Sequence, residues 1–161
     1  MAFGAASYRV ARRQPPGGPL INRPRPLESP EIAALLAADV AARLASIDSH
    51  GFPHVTPLWF VWEDGAFYLT SYSDRPHLRR LERNPRAGIC VDVEQAERKD
   101  LHRPNQQVRA VGRAELFPDQ DGLWTERIDA KYVEEAFVRR GTEFRTVIRL
   151  RPDRLVAVSS V

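Results

Sequence analysis

Cysteine is almost missing from this chain of 161 residues: Cys90 is its single example. An intrachain disulfide is therefore excluded, which fits a reducing cytoplasm. The mostly apolar run 87–93 around Cys90 predicts a buried, inert thiol rather than a nucleophile. No apolar run approaches membrane-spanning length, and the first residues lack the basic-then-apolar order of a secretory signal. The expectation is a cytoplasmic protein with no membrane partner. Glycine-rich phosphate loops, nucleophile elbows and Cys/His clusters are absent as well, so no sequence signature points to P-loop, esterase or metal chemistry.

Acidic residues are absent from 1–27, while Arg9, Arg12, Arg13, Arg23 and Arg25 all fall there. The net charge of +3 thus misrepresents the rest, where 19 basic residues face 21 acidic ones. The basic surplus belongs to a Pro/Arg-rich arm, and the body, 28–161, carries no nucleic-acid face. The arm has too many prolines and too few apolar groups for a regular element, and stacking aromatics are nearly absent from it, so it reads as an extended or disordered segment rather than a nucleic-acid tether. The remaining length suits one domain with a full core.

Periodicity organises that body. Ser29 is positioned to cap a helix with Pro30 at its first position, and Ile32, Leu35, Leu36 and Val40 recur at helical spacing to about residue 42. From residue 43 the period becomes two. Strands are expected at 44–48 and 54–62, and Asp64-Gly65 signals a hairpin into 67–71. A short helix follows up to Asn84-Pro85, then strands at 88–93 and 106–116, with a polar loop between them. A helix over 121–137 has Trp124, Ile128, Tyr132 and Val133 on its apolar side. Strands at 144–150 and 155–158, separated by a turn at Arg151-Pro152-Asp153, complete the pattern. Hairpin spacing with few helices predicts a mainly β fold, an antiparallel barrel of six to seven strands.

Two stretches stand out. The strand 54–62 is apolar on both faces: Val55, Pro57, Trp59 and Val61 point one way, Leu58, Phe60 and Trp62 the other. A small barrel covers one face, so a ligand ring or a second copy of the chain must cover the other. Pro57 also interrupts the ladder there, as happens near edges and ligands. The helix opening at Arg75-Pro76-His77 begins with cations, Arg75, His77 and Arg79, although a helix N-terminus favours anions; Asp74 alone has the favoured sign and is placed to cap it. Two readings stand: a solvated basic face, or a phosphate site with Ser71 and Ser73 hydroxyls just upstream.

With those stretches in view, the chain resembles the pyridoxamine phosphate oxidase-like split barrels, the flavin and deazaflavin oxidoreductase superfamily. The resemblance covers roughly 32–158. It rests on the order and spacing of ASIDSHGFPH at 45–54, PLWFVWEDG at 57–65, LTS at 69–71, RPHLRRLERNP at 75–85 and IRLRPDRL at 148–155. It implies a homodimer with each cofactor in an interface groove. The cofactor phosphate would meet Ser71, Arg75 and His77, with Arg79 nearby, and the ring would lie along Pro57, Leu58, Trp59 and Thr70. Gln106 and Gln107 would approach from the other chain. His77 stands where relatives often carry Lys, so phosphate binding would lean on Arg75 and weaken as His77 loses its proton. The final Ser159-Ser160-Val161 lacks the Arg-containing substrate clamp of true pyridoxamine phosphate oxidases, so another small-molecule substrate is expected.

The implied activity is hydride or electron transfer at FMN. Use of the 8-hydroxy-5-deazaflavin coenzyme, or a non-catalytic flavin or haem binder, are the alternatives. Such chemistry belongs to the cofactor, so no catalytic acid or base is assigned. Lys131 and Tyr132 read as a surface lysine and a core tyrosine. His50 and His54 share no helical face, and His102 sits in a charged loop, so no metal site is expected.

Overall fold

The structure, a computed structural model, describes residues 24–94, 105–133 and 144–160. Most of the arm, the polar loop with His102 and the end of the last expected helix lie outside the described residues. The strands are β1 (Arg25–Pro26), β2 (Ala42–Ile47), β3 (Pro53–Leu58), β4 (Phe60–Glu63), β5 (Ala66–Tyr72), β6 (Arg86–Glu94), β7 (Asn105–Pro118) and β8 (Arg145–Ser160). The helices are α1 (Ser29–Ala37), α2 (Pro76–Arg83) and α3 (Leu123–Tyr132). All strands join one antiparallel sheet in the order β3-β2-β6-β7-β8-β5-β4, with β1 laid along β8.

That order determines the shape. β3 and β4 lie at opposite ends of it, yet Trp59 alone separates them in sequence. Consecutive Cα atoms are about 3.8 Å apart, so the two sheet edges must meet at Trp59. The sheet is therefore curled into a half-barrel whose seam is closed by the chain itself, the antiparallel split barrel expected from the sequence. Inside it, Leu44, Phe60, Phe67, Leu69, Val91, Val108 and Leu150 pack with Leu35 and Leu36 of α1 and Leu78 and Leu81 of α2. α3 covers the other face of β5, where Trp124 stacks on Tyr68 with ring centroids 3.7 Å apart.

Several local expectations are corrected. Glu28, not Ser29, caps α1, because Glu31 accepts the Glu28 backbone N–H at 2.9 Å in a reciprocal capping box. The helix ends at Ala37, and Val40 packs from extended chain whose carbonyl accepts a hydrogen bond from the Tyr132 hydroxyl. The expected strand 54–62 breaks at Trp59 to serve both edges. It is β5, not this strand, that is buried on both faces; Val55 is 64% exposed. The turn expected at 151–153 is instead a bulge within one continuous β8. Gly112 makes this possible, since a Cβ there would lie 2.6 Å from the Arg151 carbonyl oxygen. The last arm residues are structured: Arg25–Pro26 pair with β8, Leu27 is buried, and Arg25 bridges Glu31. Cys90 is half-buried rather than enclosed. Among the described residues no helix is long and apolar enough to cross a membrane.

Candidate functional site

The barrel seam opens into a pocket of about 330 Å³ lined by Ala41, Pro57, Leu58, Trp59, Thr70, Ile128, Asp129 and Arg145. Its ledge is the end of β3. Breaking the strand at Trp59 demands other hydrogen-bond partners, and α3 supplies them. Tyr132 Oη accepts the Phe60 N–H at 3.2 Å and donates to the Val40 carbonyl at 2.9 Å. Lys131 Nζ donates to the carbonyls of Leu36 and Phe60. The Tyr132 ring stacks on Trp59, centroids 4.8 Å apart and planes 4° from parallel, which holds the indole in one orientation. Burial raises the Tyr132 pKa to about 12 and lowers that of Lys131 to about 8, so neither is the ordinary core tyrosine or surface lysine of the sequence reading. Both brace the seam.

The back of the pocket is polar and connected. Arg145 Nη1 donates to Thr70 Oγ1 at 3.2 Å, Thr125 Oγ1 lies 3.3 Å from Thr70 Oγ1, and Thr125 donates to the Asp119 carboxylate at 2.6 Å. Asp119 also accepts the backbone N–H groups of Trp124 and Thr125. It thereby does the capping that Gly122 cannot, and ties α3 to the pocket. Arg145 pairs directly with Tyr72 across β5 and β8, and its guanidinium sits 4.5 Å from the Tyr72 ring centroid. Arg75 lies 5.6 Å from the same ring. Two cations thus flank one exposed tyrosine beside the pocket mouth.

The expected site residues divide into groups. Pro57, Leu58, Trp59 and Thr70 come together in the pocket, and Arg75 is linked to it through Tyr72. Ser71 is buried next to them on β5. Ser73 is engaged internally, donating to the Phe144 carbonyl at 2.8 Å. Asp74 does not cap α2; the cap residue is Arg75, with no side-chain cap and no acid in the first turn. Arg79 donates to the Asp74 carbonyl and lines a different hollow. Gln106 reaches Glu31 at 3.5 Å, and Gln107 lies one residue along β7 on the other sheet face. His77 is buried, and its Nε2 has no hydrogen-bond partner among the described residues. Burial, then the Arg80 and Arg75 charges, push its pKa below the ordinary 6.5, which favours the neutral imidazole. A lowered pKa leaves less of the imidazole charged at a given pH than a free histidine would have.

Arg145, which lines the pocket, and Tyr72, against which it packs, are the candidate-site residues that sequence reasoning missed. Both sit in strands with visible alternation, but their meeting depends on the β5–β8 register, a long-range pairing with no local signature. Among the described residues no three His, Cys, Asp or Glu side chains cluster as metal ligands.

The family model described as pyridoxamine 5'-phosphate oxidase matches residues 29–159. Similar solved structures include a candidate 5-nitroimidazole antibiotic resistance protein from Bacteroides thetaiotaomicron (TM-score 0.74, 16% identity, covering 86% of this chain and 89% of that one). An F420 reductase has a TM-score of 0.61 at 21% identity over 76% of this chain and 93% of its own. A FAD- and heme-binding protein from Mycobacterium smegmatis has a TM-score of 0.65 at 15% identity over 81% and 70%. No curated protein matches the chain. The matched span includes every strand from β2 to β7, nearly all of β8, and every residue of the seam pocket, and on that basis the chain belongs to the pyridoxamine 5'-phosphate oxidase family.

Proposed function

We propose that the protein is an FMN-dependent oxidoreductase whose cofactor ring lies on the Pro57–Leu58–Trp59 ledge against Thr70, with its phosphate end between Arg75 and Arg145. The observation that carries this reading is the continuity of the seam pocket with the paired guanidiniums across Tyr72. An apolar, flat ledge beside two cations suits a molecule with a planar ring and an anionic tail. The residues present also fit by a separate criterion: Arg145, which lines the pocket, and Arg75, across the Tyr72 ring from it, are cations placed to meet an anionic tail.

When bound, FMN would supply hydride and electron transfer to a small-molecule substrate. The chain's own contribution is positional. Tyr132 fixes Trp59, Asp119 and Thr125 hold Thr70, and Thr70 steers Arg145. No side chain is given an acid–base role.

The chain would act as a homodimer. Val55, Ala45, Gly88 and Val111 sit opposite one another in register across β3, β2, β6 and β7, forming an outer row with Val55 and Val111 exposed. A second copy is the natural cover for that row. Gln107 lies on this outer face and would be the glutamine offered across the interface, whereas Gln106 is held by Glu31.

The absorption spectrum of the purified protein, with FMN titration, tests the reading. Replacing Arg145 with Ala should weaken FMN by on the order of 1.5–3 kcal/mol, the worth of a hydrogen bond to a charged group, and Arg75→Ala should do likewise. Unchanged affinity in both variants would sink the phosphate assignment. A similar fold in an F420 reductase keeps the 8-hydroxy-5-deazaflavin coenzyme as the second reading: a colourless protein binding that coenzyme and not FMN would favour it. The fold shared with a FAD- and heme-binding protein gives the third, a haem or flavin binder that transfers no electrons.

A further inference from the structure

A second hollow, of about 710 Å³, shares no lining residue with the seam pocket. One wall is α2, which contributes Pro76, Arg79, Arg80 and Arg83, with Asn84 just beyond it. The spacing from 76 through 79 and 80 to 83 puts these residues on one helical face, and three of the four are arginines. The other wall is the β2–β3 turn, with Ile47, Asp48, Ser49 and His54.

The charge of this hollow is unbalanced. Asp48 is the single carboxylate lining it, and its oxygens are already occupied. Oδ1 accepts the backbone N–H groups of His50 and Phe52, both at 2.9 Å, and Oδ2 lies 2.9 Å from His54 Nε2. Those bonds hold the turn rigid and keep Asp48 ionised, its pKa lowered to about 2. Among the described residues none of the three arginines forms an ion pair. Arg79 donates to the Asp74 carbonyl and Arg80 Nε donates to the buried Ser46 hydroxyl at 2.9 Å. The Arg83 side chain has no hydrogen-bond partner among the described residues. Three guanidiniums collected on one face repel each other, and an anion lying between them relieves that repulsion and engages their donors.

We propose that this hollow binds a small polyanion carrying two or more phosphate or carboxylate groups. Its wall offers little else: Ile47 and Pro76 are the only apolar residues lining it, so a ligand with a large apolar body has nothing to rest on. Forked guanidiniums match the planar geometry of carboxylate and the oxygen array of phosphate, and a ligand with several anionic groups can engage more than one arginine. The site is independent of the flavin reading. It does communicate with the neighbouring region, because Arg80, which lines this hollow, is one of the two charges that depress the His77 pKa. A polyanion bound at Arg80 would offset that charge and move the His77 titration upward.

The test is calorimetric titration of the full chain with pyrophosphate and, separately, with citrate. Binding of either probe in the millimolar range or tighter supports the site, and the tighter of the two identifies phosphate or carboxylate chemistry. Arg83→Ala should weaken the better probe about ten-fold or more, while Arg83→Lys, which keeps the charge but loses the fork, should weaken it by less. The His77 imidazole resonance, followed through a pH titration with and without the probe, should titrate at higher pH when the probe is bound. Absence of binding by both probes overturns the proposal. So does binding that is indifferent to Arg83→Ala but abolished by Arg145→Ala, which would place the anion at the seam. That last outcome leaves the two sites separately judged, since the flavin assignment is read from Arg145 and Arg75 and this one from Arg83.

Discussion

β5 and β3 border the same seam, but their surroundings differ completely. Every residue of β5 except Tyr72 is buried, with Phe67 and Leu69 in the barrel core and Ala66 and Tyr68 under α3. β3 contributes Leu58 to that core and turns Val55 outward. One half of the sheet is thus covered on both faces by its own chain. The other half, β3-β2-β6-β7, presents an apolar row with no cover among the described residues. The composition of a strand does not decide this difference; it follows from where the helices between strands return. α3 lies between β7 and β8 and packs back onto β5, while β2 and β3 are joined by a turn that carries no helix at all.

The strongest way to break this contrast is to cut into the covered half. Phe67 is fully buried and meets Phe60 at 5.6 Å and Trp62 at 4.6 Å between centroids. Phe67→Ala should lower unfolding free energy by about 3–5 kcal/mol through lost transfer energy and a residual cavity. Val55→Ala, made on the bare row, should stay within about 0.5 kcal/mol for the single chain. Chemical denaturation at a dilution where the chain is monomeric compares the two directly, and equal losses would erase the distinction.

A second experiment sharpens it from the other side. Val111 is 44% exposed at the β7 end of the outer row. Val111→Asp puts a charge where a second copy would pack but leaves the single chain's core untouched. The expected outcome is a halved mass by sedimentation, with circular dichroism unchanged and apparent self-affinity reduced about 100-fold, the effect of an unpaired buried charge of roughly 3 kcal/mol. A dimer of undiminished affinity would mean that the row is covered by something else.

Much of this architecture was legible because local patterns and the global fold agree. Period-two strands, the Asp64-Gly65 hairpin and the amphipathic α2 with Leu78 and Leu81 inward were all readable. The departures have physical causes outside the local window. The break at Trp59 arises because one chain segment serves two edges of a closed sheet. The continuity of β8 through Pro152 depends on a missing Cβ at Gly112, on another strand. At the site, the ledge of Pro57, Leu58 and Trp59 was legible as an over-apolar strand interrupted by proline. Arg145 was not, since its meeting with Thr70 and Tyr72 is a register property. His77 was legible as a cation at a positive helix end, but its lowered pKa comes first from burial, which charge counting along a helix does not reveal.

The smallest effect concerns that imidazole, a polar side chain enclosed without a hydrogen-bond partner while the outer row leaves apolar ones bare. Burial first, then Arg80 and Arg75, hold the folded-state pKa of His77 below its ordinary value of 6.5. Between those two values the unfolded chain binds more protons than the folded one, so stability must rise with pH there. The contribution is complete above about pH 6.5 and is lost as the pH falls through the folded-state value. His77→Leu keeps a buried apolar shape at the position and removes the titrating group. Melting temperatures of the cofactor-free protein between pH 7.5 and 5.5 should fall more steeply for the unaltered chain than for the variant. Parallel curves would mean that the imidazole is charged, or solvated, in the folded protein, and a bound phosphate would then meet a cation at His77 rather than a neutral donor.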